Sequence, residues 1–487
     1  MTDPSVKGIL FFSESFCGYD PFLIQKNLSV IKLFPDAQIF SSHIDIADPP
    51  LKGSLMECLE TASRSCCSEE RDLILLVPGI FPLFDSSLFM EALKRHQRYL
   101  SHFTFTENIP PGILPDIVSF EFIEALSVEQ KKNIKTWKDL RAFAVKNIDE
   151  FDFEIFYKSP DLRQYRLDFT CETERSGYAA KKFLEADPDL SYGGLENLIL
   201  KQPEIIRPCP SYLEIAITDE SPVSPVFMPN PETKKRLSGE QLQKILSEAA
   251  LHPFKNDLTV SLSGTGEPLM YPDIISVIDQ LISLDTLKLL YLETYGASWT
   301  ADLLSDLKKI SRPEKLNIIL RLTTLDPRRY KQLYGSDLLE TVLTSADSLK
   351  HQFPEIQLYA EMIKMTDVGD EVEAYFNYFE AKGIQVILSK FNRYIDLLQE
   401  RRVSDLTPLH RDFCWHLARD VYVTSEGKIP VCRQDLFAEK HSYSLEKDGI
   451  YNSFQNNSLL FEKSIRSDYE NSAMPCMKCD EWYTFMG

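Results

Sequence analysis

Between residues 212 and 388, short apolar runs recur regularly, each followed by a helix-like stretch, and this series constrains the chain most. Tyr212-Leu-Glu-Ile-Ala-Ile-Thr218, Leu258-Thr-Val-Ser-Leu-Ser263, Leu289-Leu-Tyr-Leu-Glu293, Asn317-Ile-Ile-Leu-Arg321, Ile356-Gln-Leu-Tyr-Ala-Glu361 and Ile384-Gln-Val-Ile-Leu388 read as strands. Ser238-Gly-Glu-Gln241 is a capping box opening a helix whose apolar face is Leu242, Ile245, Leu246 and Ala249. A later helix carrying Val372, Phe376 and Phe379 is expected to stop at Gly383, a C-cap residue. Six strands alternating with helices predict an α/β fold, a partial (β/α)6 barrel or an open parallel sheet. In either, ligands bind beyond the carboxyl ends of the strands.

Residues 1 to about 200 read as a separate α/β domain. Strand-like Gly8-Ile-Leu-Phe-Phe12 and Leu73-Ile-Leu-Leu-Val77 alternate with helical stretches such as Ser87–Arg95, which predicts a mainly parallel sheet. Prolines crowd between Pro203 and Pro210 and mark a linker. The expected domains are therefore 1–202, 208–395 and a cysteine-bearing module, 396–487.

That module contains Cys414, Cys432, Cys476 and Cys479. Val421-Tyr-Val-Thr-Ser-Glu-Gly427 alternates and then turns into Gly427-Lys-Ile-Pro-Val-Cys432, as a hairpin would, and Cys476-Met-Lys-Cys479 is a tight CxxC turn. Thiolates on such turns can converge on one Cys₄ site, suited to an iron–sulfur cluster or to zinc. Cys17, Cys58, Cys66, Cys67 and Cys171 have no ligand spacing and read as ordinary thiols. The chain has 53 basic and 73 acidic residues, a formal charge of −20, which argues against nucleic acid or an anionic membrane as the main partner. No export signal and no run near the ~20 apolar residues of a membrane span can be read, so a cytoplasmic protein with reduced thiols is expected.

Residues 208–487 resemble radical SAM enzymes with a C-terminal SPASM domain. The matching stretches are Leu262-Ser-Gly-Thr-Gly-Glu-Pro268, Glu293-Thr-Tyr-Gly296, Arg328-Arg-Tyr-Lys-Gln-Leu-Tyr-Gly335, and the run from Lys390-Phe-Asn-Arg-Tyr394 to Cys414 with the cysteines beyond it. The resemblance implies that Gly264, Thr265, Gly266, Glu267, Pro268 and Thr294 face the nucleoside cofactor S-adenosylmethionine, with Glu267 accepting from its amino group. It also implies that Cys414, Cys432, Cys476 and Cys479 hold one [4Fe–4S] cluster; ligand chemistry alone would favour zinc. Fuller SPASM domains carry seven cysteines for two clusters, so one site at most is expected here.

The family's CxxxCxxC loop after the first barrel strand is replaced by Thr218-Asp-Glu-Ser-Pro-Val-Ser-Pro-Val-Phe-Met-Pro229, with Ser221, Pro225 and Met228 in the cysteine positions. Proline has no ligating side-chain atom, serine oxygen suits iron–sulfur chemistry poorly, and a thioether lacks the thiolate charge. Cys209, ahead of that strand, cannot stand in for three residues. The expectation is an iron–sulfur-binding protein without radical chemistry, acting as an accessory to a protein, peptide or glycan partner. The alternatives are an active radical SAM enzyme modifying a peptide or glycan, and a nucleotidyltransferase.

The last alternative comes from residues 1–200, which resemble nucleotidyltransferase-like domains of the GT-A type, such as sugar-nucleotide cytidylyltransferases. The resemblance rests on Val77-Pro-Gly-Ile-Phe-Pro-Leu-Phe-Asp85, His102–Asn108, Pro110–Pro115 and Tyr165–Thr170. Where that family has a Gly-rich phosphate loop, Phe11-Phe-Ser-Glu-Ser-Phe-Cys-Gly18 is aromatic and acidic. Its metal-binding Asp falls on Ile80, and Asp168 reads as a turn aspartate. Taken whole, the three parts resemble the spirochaete-type spiro-SPASM proteins.

Overall fold

The computed structural model describes residues 5–13, 20–43, 46–47, 49–232, 234–409, 411–469 and 476–483, the side chains of 27–29 excepted. Cys17 and most of the expected phosphate-loop position, residues 14–19, lie outside the described residues. The chain divides into two compact units, Met1–Ile206 and Arg207–Gly487. No described helix is long and apolar enough to cross a membrane.

The first unit is a six-stranded sheet flanked by helices, built from β1 (Val6–Phe12), β2 (Gln38–Ser41), β3 (Leu73–Pro78), β4 (Phe103–Thr106), β5 (Asp116–Ser119) and β6 (Phe153–Phe156), in the order β2-β1-β3-β5-β4-β6. The sheet is mainly parallel, as expected: five strands run the same way, and β5 alone is reversed, antiparallel to both β3 and β4. Only residues 107–115 join β4 to β5, too short a connection for the crossover that a parallel pair needs. Asp168 accepts from the backbone N–H and the hydroxyl of Thr170, at 2.9 and 2.7 Å, closing a local turn as the sequence suggested. Ile80 is fully buried, and its N–H donates to the Thr170 carbonyl.

The second unit is a seven-stranded, wholly parallel sheet. Its strands are β7 (Tyr212–Ala216), β8 (Leu258–Ser263), β9 (Leu287–Thr294), β10 (Leu316–Arg321), β11 (Gln357–Lys364), β12 (Gln385–Lys390) and β13 (Asp420–Val423), in the order β12-β11-β10-β9-β8-β7-β13. The first six are the predicted series. The sheet does not close, since β12 and β13 are its edges. The capping box forms: Ser238 N–H donates to Gln241 Oε1 at 2.9 Å, and Gln241 N–H to Ser238 Oγ at 3.1 Å. Gly383 takes φ +67° after the helix Val372–Glu380, the left-handed turn expected of a C-cap.

The expected hairpin is only partly correct. Its turn exists, with Gly427 at φ +73° and Gly427 N–H donating to Thr424 O at 2.9 Å. Its arms diverge: β13 joins β7 in the barrel sheet, while β14 (Lys428–Pro430) pairs antiparallel with β15 (Ser442–Ser444). Pairing with β7 buries the strand's Val421 and Val423 in the barrel core.

Alternation along the strands gives the sheet two different faces. Leu213, Ile215, Val260, Leu262, Leu290, Leu292, Ile318, Leu320, Leu358 and Ala360 pack under the helices, each large side chain contributing about 1.5–3 kcal/mol by leaving water. The residues between them, Glu214, Ser261, Ser263, Glu293, Arg321, Glu361 and Ser389, carry charges and hydroxyls to the opposite, inner face.

Candidate functional site

The segment that follows β7 at its carboxyl end is pinned at a neck. Leu237 N–H donates to Ile217 O at 3.0 Å and Asp219 N–H to Lys235 O at 2.7 Å. Beyond the neck the chain folds onto the end of the helix Pro327–Tyr334: Ser224 N–H meets Tyr334 O, and Val226 N–H meets Leu333 O, both at 2.9 Å. Val223 and Phe227 enter the main core, and the Phe227 ring lies edge-on to Tyr334, centroids 5.2 Å apart.

Ser221, Pro225 and Met228, the three residues that the sequence reading set at the family's cysteine positions, each have their own local contacts. The Ser221 hydroxyl closes its own turn, donating to Val223 O at 2.8 Å and accepting from Val223 N–H at 3.2 Å. Pro225 is buried. Met228, 8% exposed, packs with Ala216, Tyr394, Tyr422 and Leu436 over the end of β7.

Gly264 to Pro268 are stitched to that same segment. A Cβ on Gly264 (φ +102°) would lie 2.5 Å from the Ala216 Cβ, and one on Gly266 would lie 2.1 Å from Thr218 O. Both glycines are therefore required for close approach to the chain leaving β7. Thr265 Oγ1 donates to Asp219 at 2.6 Å, the other oxygen of Asp219 accepts from Ser425 at 2.5 Å, and Glu267 N–H donates to Glu220 O at 2.7 Å.

Glu267, fully buried, accepts from Leu269 N–H (3.1 Å), Thr294 Oγ1 (3.0 Å) and Tyr295 N–H (2.7 Å). Burial pushes its carboxyl up to about 7 even though these donors pull the other way. Thr294 in turn accepts from Gly296 N–H at 2.9 Å. All six expected nucleoside-facing residues thus come together, with the side chains of Thr265, Glu267 and Thr294 each bonded to protein groups.

Below them lies a set of charges that the sequence reading did not assign. Arg321 pairs closely with Glu293 and donates to Gly264 O at 3.0 Å; Ser261 donates to Glu293 at 2.7 Å. Arg433 lies 3.1 Å from Glu214, which accepts from Ser263 at 2.6 Å, and Ser389 donates to Glu361 at 2.6 Å. Burial raises Glu214 and Glu361. Burial would raise Glu293 too, but Arg321 and Arg433 outweigh it and hold the carboxyl below its ordinary value. A single Glu or Arg set among apolar neighbours in each of four strands, at 214, 293, 321 and 361, was the available signal.

The C-terminal cysteines come together around the helix Trp415–Arg419 and the turn at Cys476–Lys478. Cys414, the residue ahead of that helix, donates its N–H to Ser464 Oγ at 2.9 Å. Arg411 donates to the carbonyls of Cys476 (2.6 Å) and Cys479 (3.1 Å). Lys390, at the end of β12, pairs with Glu481 at 2.7 Å, and Arg402 with Asp480 at 2.7 Å.

The sulfurs sense one another: burial first, and then neighbouring cysteines, push Cys432 well above its ordinary value and Cys414 to about 12. Backbone donors oppose this. Gln434 N–H points at Cys432 Sγ (3.5 Å), Glu481 N–H at Cys479 Sγ (3.4 Å), and the N–H groups of Leu417 and His416 favour the Cys414 thiolate. N–H donors aimed at buried sulfurs favour the thiolate form that a soft metal centre requires. No three of these four sulfurs lie within 4.8 Å of one another; among the described residues that closeness is met by Cys209, His252 and Asp257.

No family model matches the chain. It is 24% identical over 355 residues to an uncharacterized protein of Treponema pallidum (strain Nichols), covering 70% of this chain and 96% of that one. It is 29% identical over 185 residues to GTP 3',8-cyclase 1 of Pseudomonas aeruginosa, covering 36% of this chain and about half (52%) of the cyclase. Solved structures that align with it include the radical SAM enzyme SuiB of Streptococcus suis bound to S-adenosylmethionine (TM-score 0.45, 14% identity, 65% of this chain and 85% of that one). Another is a cytidylyltransferase from Leptospira borgpetersenii (TM-score 0.34, 16% identity, 41% and 95%).

Proposed function

We propose that this chain is a radical-SAM-related accessory protein that binds one iron–sulfur cluster through Cys414, Cys432, Cys476 and Cys479 and performs no radical chemistry in its barrel. The carrying observation is the fate of the loop after β7: Ser221 is spent on a turn, Pro225 is buried, and Met228 is packed among Ala216, Tyr394, Tyr422 and Leu436. A cluster there would have to displace part of a core and would find no thiolate.

The C-terminal donor set is four cysteines with backbone N–H groups aimed at Cys432 and Cys479 Sγ, chemistry that suits an iron–sulfur cluster and that zinc would also accept; the resemblance of the segment favours the cluster. When bound, it would supply electron transfer or a rigid brace; this chain's own residues hold the sulfurs, screen them from water and aim N–H donors at them. The partner in this reading is a peptide or glycan of a modification system.

Elemental analysis of protein purified without oxygen tests the reading. About four iron and four sulfide per chain, lost in Cys432→Ser, are expected. About eight iron, or 5′-deoxyadenosine on mixing with dithionite and S-adenosylmethionine, would establish an active radical enzyme instead. Pyrophosphate release from CTP with Mg²⁺ would support the nucleotidyltransferase alternative.

A further inference from the structure

At the amino ends of the barrel strands, away from the residues above, three donors of different kinds converge. Cys209 lies three residues before β7, His252 just past the helix Gly239–Ala250, and Asp257 immediately before β8. One ligand atom from each lies within 4.8 Å of the other two. The local chain is built to bring them together. Leu251 closes the helix, and His252 N–H donates to Ala249 O at 3.2 Å. Asn256 takes a left-handed conformation (φ +49°), and Asp257 N–H is held by Thr286 O at 3.0 Å. The His252 side chain is wholly buried, Cys209 is buried, and the Asp257 side chain keeps 12% exposure.

The imidazole is oriented at both nitrogens. His252 Nε2 lies 2.6 Å from Asp257 Oδ2, and Nδ1 lies 2.9 Å from the Tyr451 hydroxyl. Tyr451 belongs to the helix Gly449–Asn456 of the C-terminal part of the same unit. A phenol on the outer imidazole nitrogen is the kind of contact that fixes the tautomer of a metal-bound histidine. Phe254 stands edge-on to the ring, centroids 6.0 Å apart, and helps to close the place off.

The geometry points to a zinc site formed by Cys209 Sγ, His252 Nε2 and Asp257 Oδ2, with water as the fourth ligand on the side where Asp257 reaches solvent. Thiolate, imidazole and carboxylate together are a zinc donor set, and three protein ligands leave one position open. Binding takes the thiol proton from Cys209 to solvent and requires the single imidazole proton to sit on Nδ1, from which it donates a hydrogen bond to the Tyr451 oxygen while the phenol keeps its own proton. The Nε2–Oδ2 hydrogen bond is replaced by two bonds to the ion, so these atoms separate from 2.6 Å to about 3.3 Å. The ion ties the chain leading into β7 to the turn ahead of β8 and, through Tyr451, to the C-terminal helices. It clips the base of the barrel.

The test uses full-length protein with its iron already loaded, so that the C-terminal cysteines are not free to take up the probe. After equilibration with zinc sulfate and dialysis, the wild type retains one zinc per chain; Cys209→Ser and His252→Ala retain none, with iron and sulfide unchanged. With cobalt in place of zinc, the wild-type-minus-Cys209→Ser difference spectrum contains a near-ultraviolet thiolate-to-cobalt band. Tyr451→Phe, which removes no ligand, weakens zinc in chelator competition about 10- to 100-fold and serves if the ligand variants fail to fold. Equal zinc in the wild type and folded Cys209→Ser, or no zinc retained by the wild type, overturns the assignment. Iron content reports on the C-terminal cysteines independently.

Discussion

Replacing Arg321 by methionine would test whether the inner face of the sheet is a locked charge network. Arg321 is 4% exposed by side chain, sits against Glu293 (7%), and reaches Gly264 O at 3.0 Å, so it joins β10 both to β9 and to the glycine turn after β8. Methionine keeps much of the volume and removes the cation. Glu293 is left with Ser261 and the more distant Arg433, and Glu361 loses a favourable neighbour. Removing one partner of a buried pair costs about 3–5 kcal/mol, because the other charge stays buried and unpaired.

The loss should depend on pH with a definite sign. In the wild type Glu293 is held low, so its contribution is present above the ordinary carboxylate range and lost as pH falls through the folded value. In Arg321→Met the same carboxyl is raised by burial, so the folded state favours the proton and the deficit grows as pH rises. Urea unfolding followed by tryptophan fluorescence measures this, since Trp299, Trp415 and Trp482 lie in the second unit and only Trp137 in the first. The variant should lose about 3–5 kcal/mol at pH 8 and distinctly less at pH 5, and Glu293→Gln added to it should restore a large part. A deficit below about 1 kcal/mol at pH 8, or the same deficit at both pH values, would refute the argument.

Other outcomes follow from the same contacts. Met228→Ala should destabilise the second unit by about 2–4 kcal/mol in urea unfolding, as truncation of a packed core residue does; a neutral result would mean the loop after β7 is not part of the core. Glu267 has a folded value near 7 against an ordinary 4.5, so it withdraws about 3 kcal/mol of stability as pH rises from 4.5 to 7. Glu267→Gln should flatten that slope relative to the wild type in unfolding measured across the range. Gly266→Ala should disrupt the second unit, since its new methyl would lie 2.1 Å from Thr218 O, whereas Gly239→Ala, which meets nothing within 4 Å, should be tolerated; thermal melts compare the two. Asp168→Ala should cost about 1 kcal/mol at most, the worth of its local hydrogen bonds.

The strands of the second unit were legible because their signal is local. Apolar runs such as Leu258–Ser263, the reciprocal caps of Ser238 and Gln241, and the left-handed Gly383 depend on neighbours two to four residues away. That Ser221, Pro225 and Met228 offer no thiolate is likewise a property of the residue types themselves. Tertiary structure alone decided the rest. Val421–Val423 alternates as a hairpin arm would and its turn forms, yet the strand pairs with β7, because burial against the sheet edge outweighs pairing across the turn. Glu214 meets Arg433, Cys209 meets His252 and Asp257, and His252 meets Tyr451, across separations that no short-range pattern encodes. Which polar groups become partners depends on which strand ends the fold brings side by side, and burial then makes that partnership obligatory.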